Sequence, residues 1–179
     1  MSNRQEVLQN RLGPEIQEFK AKMKTLVLAT VDKEGTPNVS YAPFVINNGE
    51  YQVLISTIAR HARNLQEVPK VSLMLLEDES QSREIFARHR LTFDATARIV
   101  ERHSEEWNDG IAKLKARHGD LVDELATLQD FKLFCFKPQQ GLFVKGFGKA
   151  FQVSADELVN FVHLDEGHNK EIGPHEKEA

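Results

Sequence analysis

The chain has 179 residues and a formal net charge of −4, with 40% hydrophobic and 28% charged residues. This is the balance of one globular domain, and it gives no general reason to expect a nucleic-acid partner. The single cysteine, Cys135, excludes an intrachain disulfide framework and a cysteine-rich metal cluster. Because no apolar run is long enough to span a membrane and the N-terminus lacks a signal-peptide pattern, we expect a cytoplasmic protein with no membrane partner.

The first third of the chain predicts a helix followed by strands. An amphipathic helix is indicated by apolar residues at helical spacing, namely Leu8, Leu12, Ile16, Phe19 and Met23. Pro14 interrupts this pattern and fits the first turn of a second helical piece. Three strands follow, over 25–31, 38–46 and 51–55. A turn at Gly35 and a hairpin at Asn48 and Gly49 join them, which predicts an antiparallel meander.

The remaining elements alternate between short helices and strands. A helix over 59–68 stops before Pro69, and strands are predicted over 71–76, 91–100, 131–137 and 141–153. Two inserted helices have predicted inner faces of Trp107, Ile111 and Leu114, and of Leu121, Leu125 and Leu128. A last helix begins at Ser154 and carries Leu158, Phe161 and Val162 on its apolar face. Six or seven strands with late helices predict an α+β protein built on a small antiparallel barrel.

Two segments are candidate anion sites. In the first, Ser56, Thr57, Arg60 and Arg63 converge where a strand passes into a helix, which suits a phosphate or carboxylate. A capped helix with solvated arginines explains the same residues. In the second, Arg88 and Arg90 would share one face of a strand and receive the carboxylates or phosphate of a cofactor. An edge strand protected by charge is an equally good explanation.

Three further features have weaker signals. Asp130 precedes a strand, and nothing in the sequence marks it as more than a turn residue. Glycines at 141, 146 and 148 would let a flat ring approach the backbone, although a barrel corner accounts for them equally well. The segment 163–170 holds His163, His168 and two carboxylates. Imidazole is a common protein ligand for iron, so this tail is a candidate cofactor ligand, with a solvated terminus as the alternative.

These segments together resemble the haem-utilisation proteins of the HutZ/HugZ type. That group belongs to the split-barrel proteins that include pyridoxamine 5′-phosphate oxidases and flavin reductases. The resemblance is carried by residues 37–44, 58–65, 90–95, 128–131, 140–148 and 161–168. It implies an antiparallel split β-barrel with peripheral helices. We divide the chain into a helical segment (1–24), a barrel domain (25–162) and a haem-contacting tail (163–179).

The resemblance also implies a function. The family binds haem b (iron protoporphyrin IX) between the subunits of a homodimer, with a C-terminal histidine as axial iron ligand, here His168. Asp130 matches an acidic residue that approaches this histidine from the other subunit, while Arg90 and His61 match positions lining the haem pocket. The resemblance therefore implies catalytic roles for His168, Asp130 and Arg90. Haem is also the substrate: its ring is opened with O₂ and an electron donor, and iron is released for acquisition.

The chemistry of these residue types agrees with that assignment. A carboxylate that accepts a hydrogen bond from a ligating imidazole fixes its tautomer and increases its electron donation to iron. Three alternatives stay open. They are an FMN-dependent oxidoreductase that holds the flavin phosphate on Ser56, Thr57, Arg60 and Arg63, a haem carrier or store without turnover, and a homologue with a degenerate pocket. The resemblance identifies neither the haem donor nor the electron donor.

Overall fold

The structure is a computed structural model that describes residues 3–155 and 159–161. The predicted tail, with His163 and His168, lies outside the described residues. Four α-helices and nine strands occur in the described part: α1 (Asn3–Lys22), β1 (Thr25–Val31), β2 (Pro37–Pro43), β3 (Val45–Asn47), β4 (Glu50–Ser56), α2 (Arg60–Glu67), β5 (Lys70–Leu76), β6 (Arg90–Ile99), α3 (Glu105–His118), α4 (Leu121–Thr127), β7 (Phe131–Val144), β8 (Ala150–Ser154) and β9 (Val159–Phe161).

The strands pair in one antiparallel sheet with the order β2-β1-β5-β6-β7-β4-β3, and β8 and β9 extend it beside the second half of β7. The strands β2 and β3 stand at opposite ends of this order, yet only Phe44 separates them in the chain. The sheet must therefore curl until its two ends meet, and Phe44 is fully buried at that junction. The predicted meander is wrong because β2 pairs with β1 and β3 pairs with β4, but β2 does not pair with β4.

The core lies inside this curled sheet and beneath α1. Alternate residues of each strand point inward, as in β6, where Leu91, Phe93 and Ala95 are buried. The apolar face of α1 joins the same core and continues through Pro14, so the predicted break in this helix is wrong. We attribute the continuity to burial of Leu12 and Ile16 on either side of the proline, which offsets its cost of about 3 kcal/mol in a helix.

A second, smaller core lies under α3 and α4. It contains Trp107 and Leu114, as predicted, and the Ser104 side chain caps α3 by accepting a hydrogen bond from the Trp107 backbone N–H at 3.1 Å. The predicted inner face of α4 is wrong. Val122 is buried there, whereas Leu121 is exposed. This helix has only seven residues, so packing against α3 and β7, and not its own periodicity, sets which side is buried.

The strand β7 continues through Pro138, where the sequence predicted a break. Opposite it, the register with β6 shifts between Phe93 and Ala95, so that two residues of β7 oppose Asp94 alone. A bulge of this kind is a position at which a sheet tolerates proline.

The predicted last helix is also wrong at its end, because 159–161 form β9, paired with β8. No helix in the described part has the length and apolar character needed to cross a bilayer.

Candidate functional site

Asp130 lies at one end of the barrel, immediately before β7. Its carboxylate accepts a hydrogen bond of 2.5 Å from the Ser56 hydroxyl, and its backbone carbonyl accepts one of 2.8 Å from the Thr57 N–H. These contacts arise because Ser56 ends β4 directly opposite Phe131 in the sheet. The carboxylate is half-buried and has a fixed orientation. A fixed carboxylate of this kind can orient a histidine that approaches it.

His61 lies in the first turn of α2, five residues beyond Ser56. Its ring is half-buried, and its Nε2 atom is enclosed without a hydrogen-bond partner in the part of the chain that the structure describes. Burial lowers the pKa of His61, so the neutral imidazole is the favoured form near neutral pH. His61 and Asp130 thus stand at the same end of the barrel, because Ser56, which ends β4 shortly before His61, lies opposite Phe131.

The two arginines of the first candidate anion site are already engaged within the protein. Arg63 donates to the Ile58 carbonyl at 3.0 Å, and Arg60 lies 3.9 Å from the Asp32 carboxylate. The Ser56 hydroxyl donates to a carboxylate, which would repel a phosphate at this position. The capped-helix alternative also needs correction, since the N-cap of α2 is Ala59, which provides no side-chain hydrogen bond.

Arg90 begins β6 at the other end of the barrel, where it pairs with Leu76 and Val144. Its side chain is half-exposed on the outer face of the sheet. The predicted pair of guanidinium groups does not form, because Arg88 precedes the strand and donates to the Glu77 carbonyl. Arg90 is therefore the only member of that pair in the strand.

Arg90 and Asp130 of one chain lie at opposite ends of β7. Asp130 adjoins Phe131 at the start of β7, whereas Arg90 pairs with Val144 at its end. A strand rises about 3.3 Å per residue, so the path along β7 between them is about 40 Å. The structure brings His61 and Asp130 to one end of the barrel and leaves Arg90 at the other.

The glycines of 141–148 serve the backbone. A Cβ atom at Gly141 would stand 2.5 Å from the Phe93 ring and even closer to the Thr92 carbonyl, so only glycine fits where β7 pairs with β6 at this position. Gly148 has a φ of 65° in the turn between β7 and β8, a conformation that favours glycine. The structure thus supports the barrel-corner explanation.

A polar cluster beneath α3 was not predicted. Arg98 bridges Glu50 and Glu106, each at 2.6 Å, and the Cys135 thiol donates to Glu50 at 3.1 Å. Ligand atoms of Glu50, Glu106 and Cys135 lie close enough for a metal ion, but both carboxylates are already ion-paired with the Arg98 guanidinium. The outward position of Arg98 on β6 opposite Cys135 is visible only once the strands are paired.

The thiol of Cys135 is expected to resist alkylation in the folded protein. Burial, helped by the hydrogen bond to Glu50, raises the pKa of Cys135 to about 12. At about pH 8 its thiolate fraction would be on the order of one in ten thousand. Mass spectrometry after iodoacetamide treatment should show an unmodified native chain and a modified chain in urea. Equal modification in both states would contradict this account.

The pH dependence of folding should contain a contribution from His61. Because burial lowers its pKa from the ordinary 6.5, the unfolded chain binds a proton that the folded chain resists. Stability is therefore lost as the pH falls below 6.5, until the lowered pKa is passed. Urea unfolding should show wild type losing stability relative to His61→Gln between about pH 8 and pH 5. A stability difference that does not vary with pH would refute the assignment.

Comparison with known proteins identifies the family. The family described as pyridoxamine 5′-phosphate oxidase matches residues 12–145. A curated protein of Vibrio cholerae serotype O1, named heme oxygenase HutZ, is 62% identical over 167 residues, which is 93% of this chain and 95% of that protein. The chain is a HutZ-type member of this family. The resemblance inferred from the sequence is confirmed.

Solved structures confirm the fold. A crystal structure of HutZ from Vibrio cholerae, described as a heme storage protein, is 55% identical, with a TM-score of 0.74 over 76% of this chain and 96% of that one. The structure of ChuZ from Campylobacter jejuni is 28% identical, with a TM-score of 0.81 over 89% of this chain and 65% of that one. The predicted α+β antiparallel barrel with peripheral helices is thereby confirmed.

Proposed function

We propose that this HutZ-type protein is a cytoplasmic haem-degrading enzyme that acts as a homodimer. It would bind haem b, open the ring with O₂ and electrons from a donor, and release the iron for acquisition. The observation that carries this proposal is the 62% identity, over nearly the full chain, to a protein named heme oxygenase. The positions of the described residues fit a haem site shared by two chains.

The reach of the chain supports a site built from two subunits. Phe161 pairs with Phe151, which pairs with Phe143, so the described chain leaves the sheet at the Arg90 end of β7. His168 follows seven residues later and can extend at most about 25 Å from there. The Asp130 of the same chain is about 40 Å away along β7. This placement at opposite ends of β7 supports a contact between His168 of one chain and Asp130 of the other.

The outer face of the sheet offers a surface for the second subunit. Val39 and Tyr41 of β2 are 72% and 68% exposed, and they stand directly opposite Ala29 and Val27 of β1. Met74 of β5 continues this outward row. A contiguous apolar strip on a sheet face is typical of a protein interface, and two-fold symmetric dimers are the commonest oligomers.

The chain supplies residues of the chemical types that haem needs. Bound haem supplies the iron at which O₂ is activated. His168 would hold the haem iron, and Asp130 would accept the hydrogen bond from its other ring nitrogen, keeping the proton there and the iron-binding nitrogen unprotonated. Arg90 would neutralise a haem propionate or assist the reaction of the bound haem. His61, with a neutral ring and an unpartnered Nε2, offers an enclosed nitrogen to line the pocket.

Storage without turnover is the second candidate, since a HutZ structure is described as that of a heme storage protein. An FMN-dependent reaction is less well supported. The Ser56 hydroxyl already donates its hydrogen bond to the Asp130 carboxylate, so it is not available to a flavin phosphate. The half-buried nitrogen of His61, which has no partner among residues 3–155 and 159–161, argues against a degenerate pocket.

Incubation of the haem complex with ascorbate, in air and without oxygen, tests the proposal. An oxygenase should lose its Soret band in air and release iron that a ferrous chelator captures, while the anaerobic sample keeps the band. A band that persists in air would support storage instead. Catalase in both samples removes peroxide, which otherwise bleaches haem without enzyme action.

A further inference from the structure

A cavity between α1 and α3 lies away from the residues proposed to bind haem. It has a volume of about 640 Å³, which is within the usual range for a small-molecule site. Its lining residues come from 17–21 in α1, from 113–117 in α3 and from 45–49 in the hairpin of β3 and β4. We call it the helix cavity. Glu18, which falls within the first range, lines a different cavity.

The helix cavity is lined by cations and not by carboxylates. Lys20, Lys113 and Arg117 are among its lining residues, which include no Asp or Glu in the part of the chain that the structure describes. The carboxylates beside it are already ion-paired, Asp109 with Lys113 at 2.9 Å and Glu50 with an arginine of β6 at 2.6 Å. Lys20 is buried and has an interaction of its own. The uncompensated positive charge of this cavity therefore lies on Arg117.

Arg117 has hydrogen-bond donors that its neighbours do not use. Its Nη2 atom donates to the backbone carbonyl of Ala21 at 3.0 Å and to that of Met23, at the C-terminal end of α1. These carbonyls carry only partial negative charge, so the guanidinium keeps most of its positive charge. Within residues 3–155 and 159–161 Arg117 forms no ion pair, and its Nη1 atom has no partner and is not enclosed. This nitrogen can therefore receive an anion.

Lys113 stands one turn before Arg117 on α3. Its ammonium donates to Asn47 Oδ1 at 2.6 Å and to Asp109 at 2.9 Å, which leaves one of its three N–H groups without a partner among the described residues. Two cations four residues apart on a helix repel each other, and an anion bound to both would replace this repulsion with attraction. A phosphate suits the pair, because its oxygens accept from a guanidinium and an ammonium at once.

We propose that the helix cavity binds the phosphate group of a small organic phosphate. Arg117 and Lys113 would hold the phosphate, and the organic part would lie against the apolar lining residues Val45 and Ile46. The cavity is larger than a phosphate ion needs, so it has room for an organic group of the size of one ring. Binding here requires neither haem nor His168, so the inference goes beyond the proposed function.

Isothermal titration calorimetry of the full chain at constant ionic strength tests the proposal with phenyl phosphate, inorganic phosphate and benzoate. Phenyl phosphate should bind saturably and about tenfold more tightly than inorganic phosphate, which lacks the ring, or benzoate, which has a single negative charge. Lys113→Gln with Arg117→Gln should weaken phenyl phosphate by about tenfold or more. The control Arg11→Gln with Lys33→Gln removes the same charges elsewhere and should bind it as the wild type does.

Because Arg117 also holds the end of α1, a second variant leaves it in place. Lys113→Glu reverses one charge of the cavity and should weaken phenyl phosphate by about tenfold or more, whereas Lys33→Glu should not. No saturable binding to the wild type, unchanged binding to Lys113→Glu, or equal affinity for benzoate would overturn the proposal. So would binding that appears only after residues 171–179 are removed, because the acidic end of the chain would then be the occupant of the cavity.

Discussion

Replacement of His168 by alanine should weaken haem binding by on the order of 100-fold and change the ferric absorption spectrum. The reason is that His168 is the proposed axial ligand, so its loss leaves the iron without its bond to the protein. A Soret titration of the purified variant measures both effects. The tail variants His163→Ala and His175→Ala are matched controls and should bind haem as the wild type does. A normal spectrum and affinity in His168→Ala would refute the ligand assignment.

The same substitution tests the two-subunit site when it is combined with a second one. Asp130→Asn removes the negative charge that should hold the imidazole of His168, and a loss of about 10-fold in haem affinity is expected. A mixed dimer of His168→Ala and Asp130→Asn chains contains one site with both native residues only if they come from different chains. Random pairing of equal amounts makes about half of the dimers mixed, so recovery of about a quarter of the wild-type sites is expected. No recovery would mean that each chain supplies both residues.

The local parts of the fold could be predicted from the sequence because short-range signals determine them. The hairpin at Asn48 and Gly49 is an example, since both residues have positive φ, of 50° and 78°, as its two-residue turn requires. The strand β1 was predicted with its observed bounds because an apolar run with β-branched residues ends at a clear turn. In each of these cases the determining residues are adjacent in the chain.

Elements that depend on distant partners were predicted incorrectly. The capping pattern at Ser154 favours a helix, but the chain from Val159 instead pairs with β8, and the Val159 N–H donates to Gln9 of α1 at 2.7 Å. The break at Phe44 is another example, because it depends on the closure of the barrel. Contacts between residues about 150 positions apart leave no periodic signal in either segment.

In the candidate site too, features set by neighbouring residues could be predicted, and contacts that depend on distant strands could not. Asp130 has no signal of its own in the sequence, and its contact with Ser56 exists only because β4 and β7 are neighbours. Arg88 and Arg90 looked equivalent, but the strand begins at Arg90 and Arg88 is engaged by the Glu77 carbonyl. The roles of His168, Asp130 and Arg90 came from family resemblance, and they remain predictions.

The substitution Gly141→Ala should destabilise the protein by about 3 kcal/mol, a large effect for one methyl group. A Cβ atom there would meet the Thr92 carbonyl and stand 2.5 Å from the Phe93 ring. The carbonyl belongs to the backbone of β6 and cannot rotate away, so relief would require the two central strands to separate beside the bulge. Urea unfolding followed by circular dichroism measures the loss.

Gly35→Ala separates this steric effect from the general cost of losing a glycine. Gly35 has a φ of 86° and open space around its Cα, so alanine there is strained but meets no neighbour. A cost of about 1 kcal/mol is expected from the left-handed backbone alone. Because Gly141 lacks a positive φ, any excess in its cost measures the close approach of β7 to β6. If Gly141→Ala cost no more than Gly35→Ala, this close approach would not be what requires a glycine at position 141.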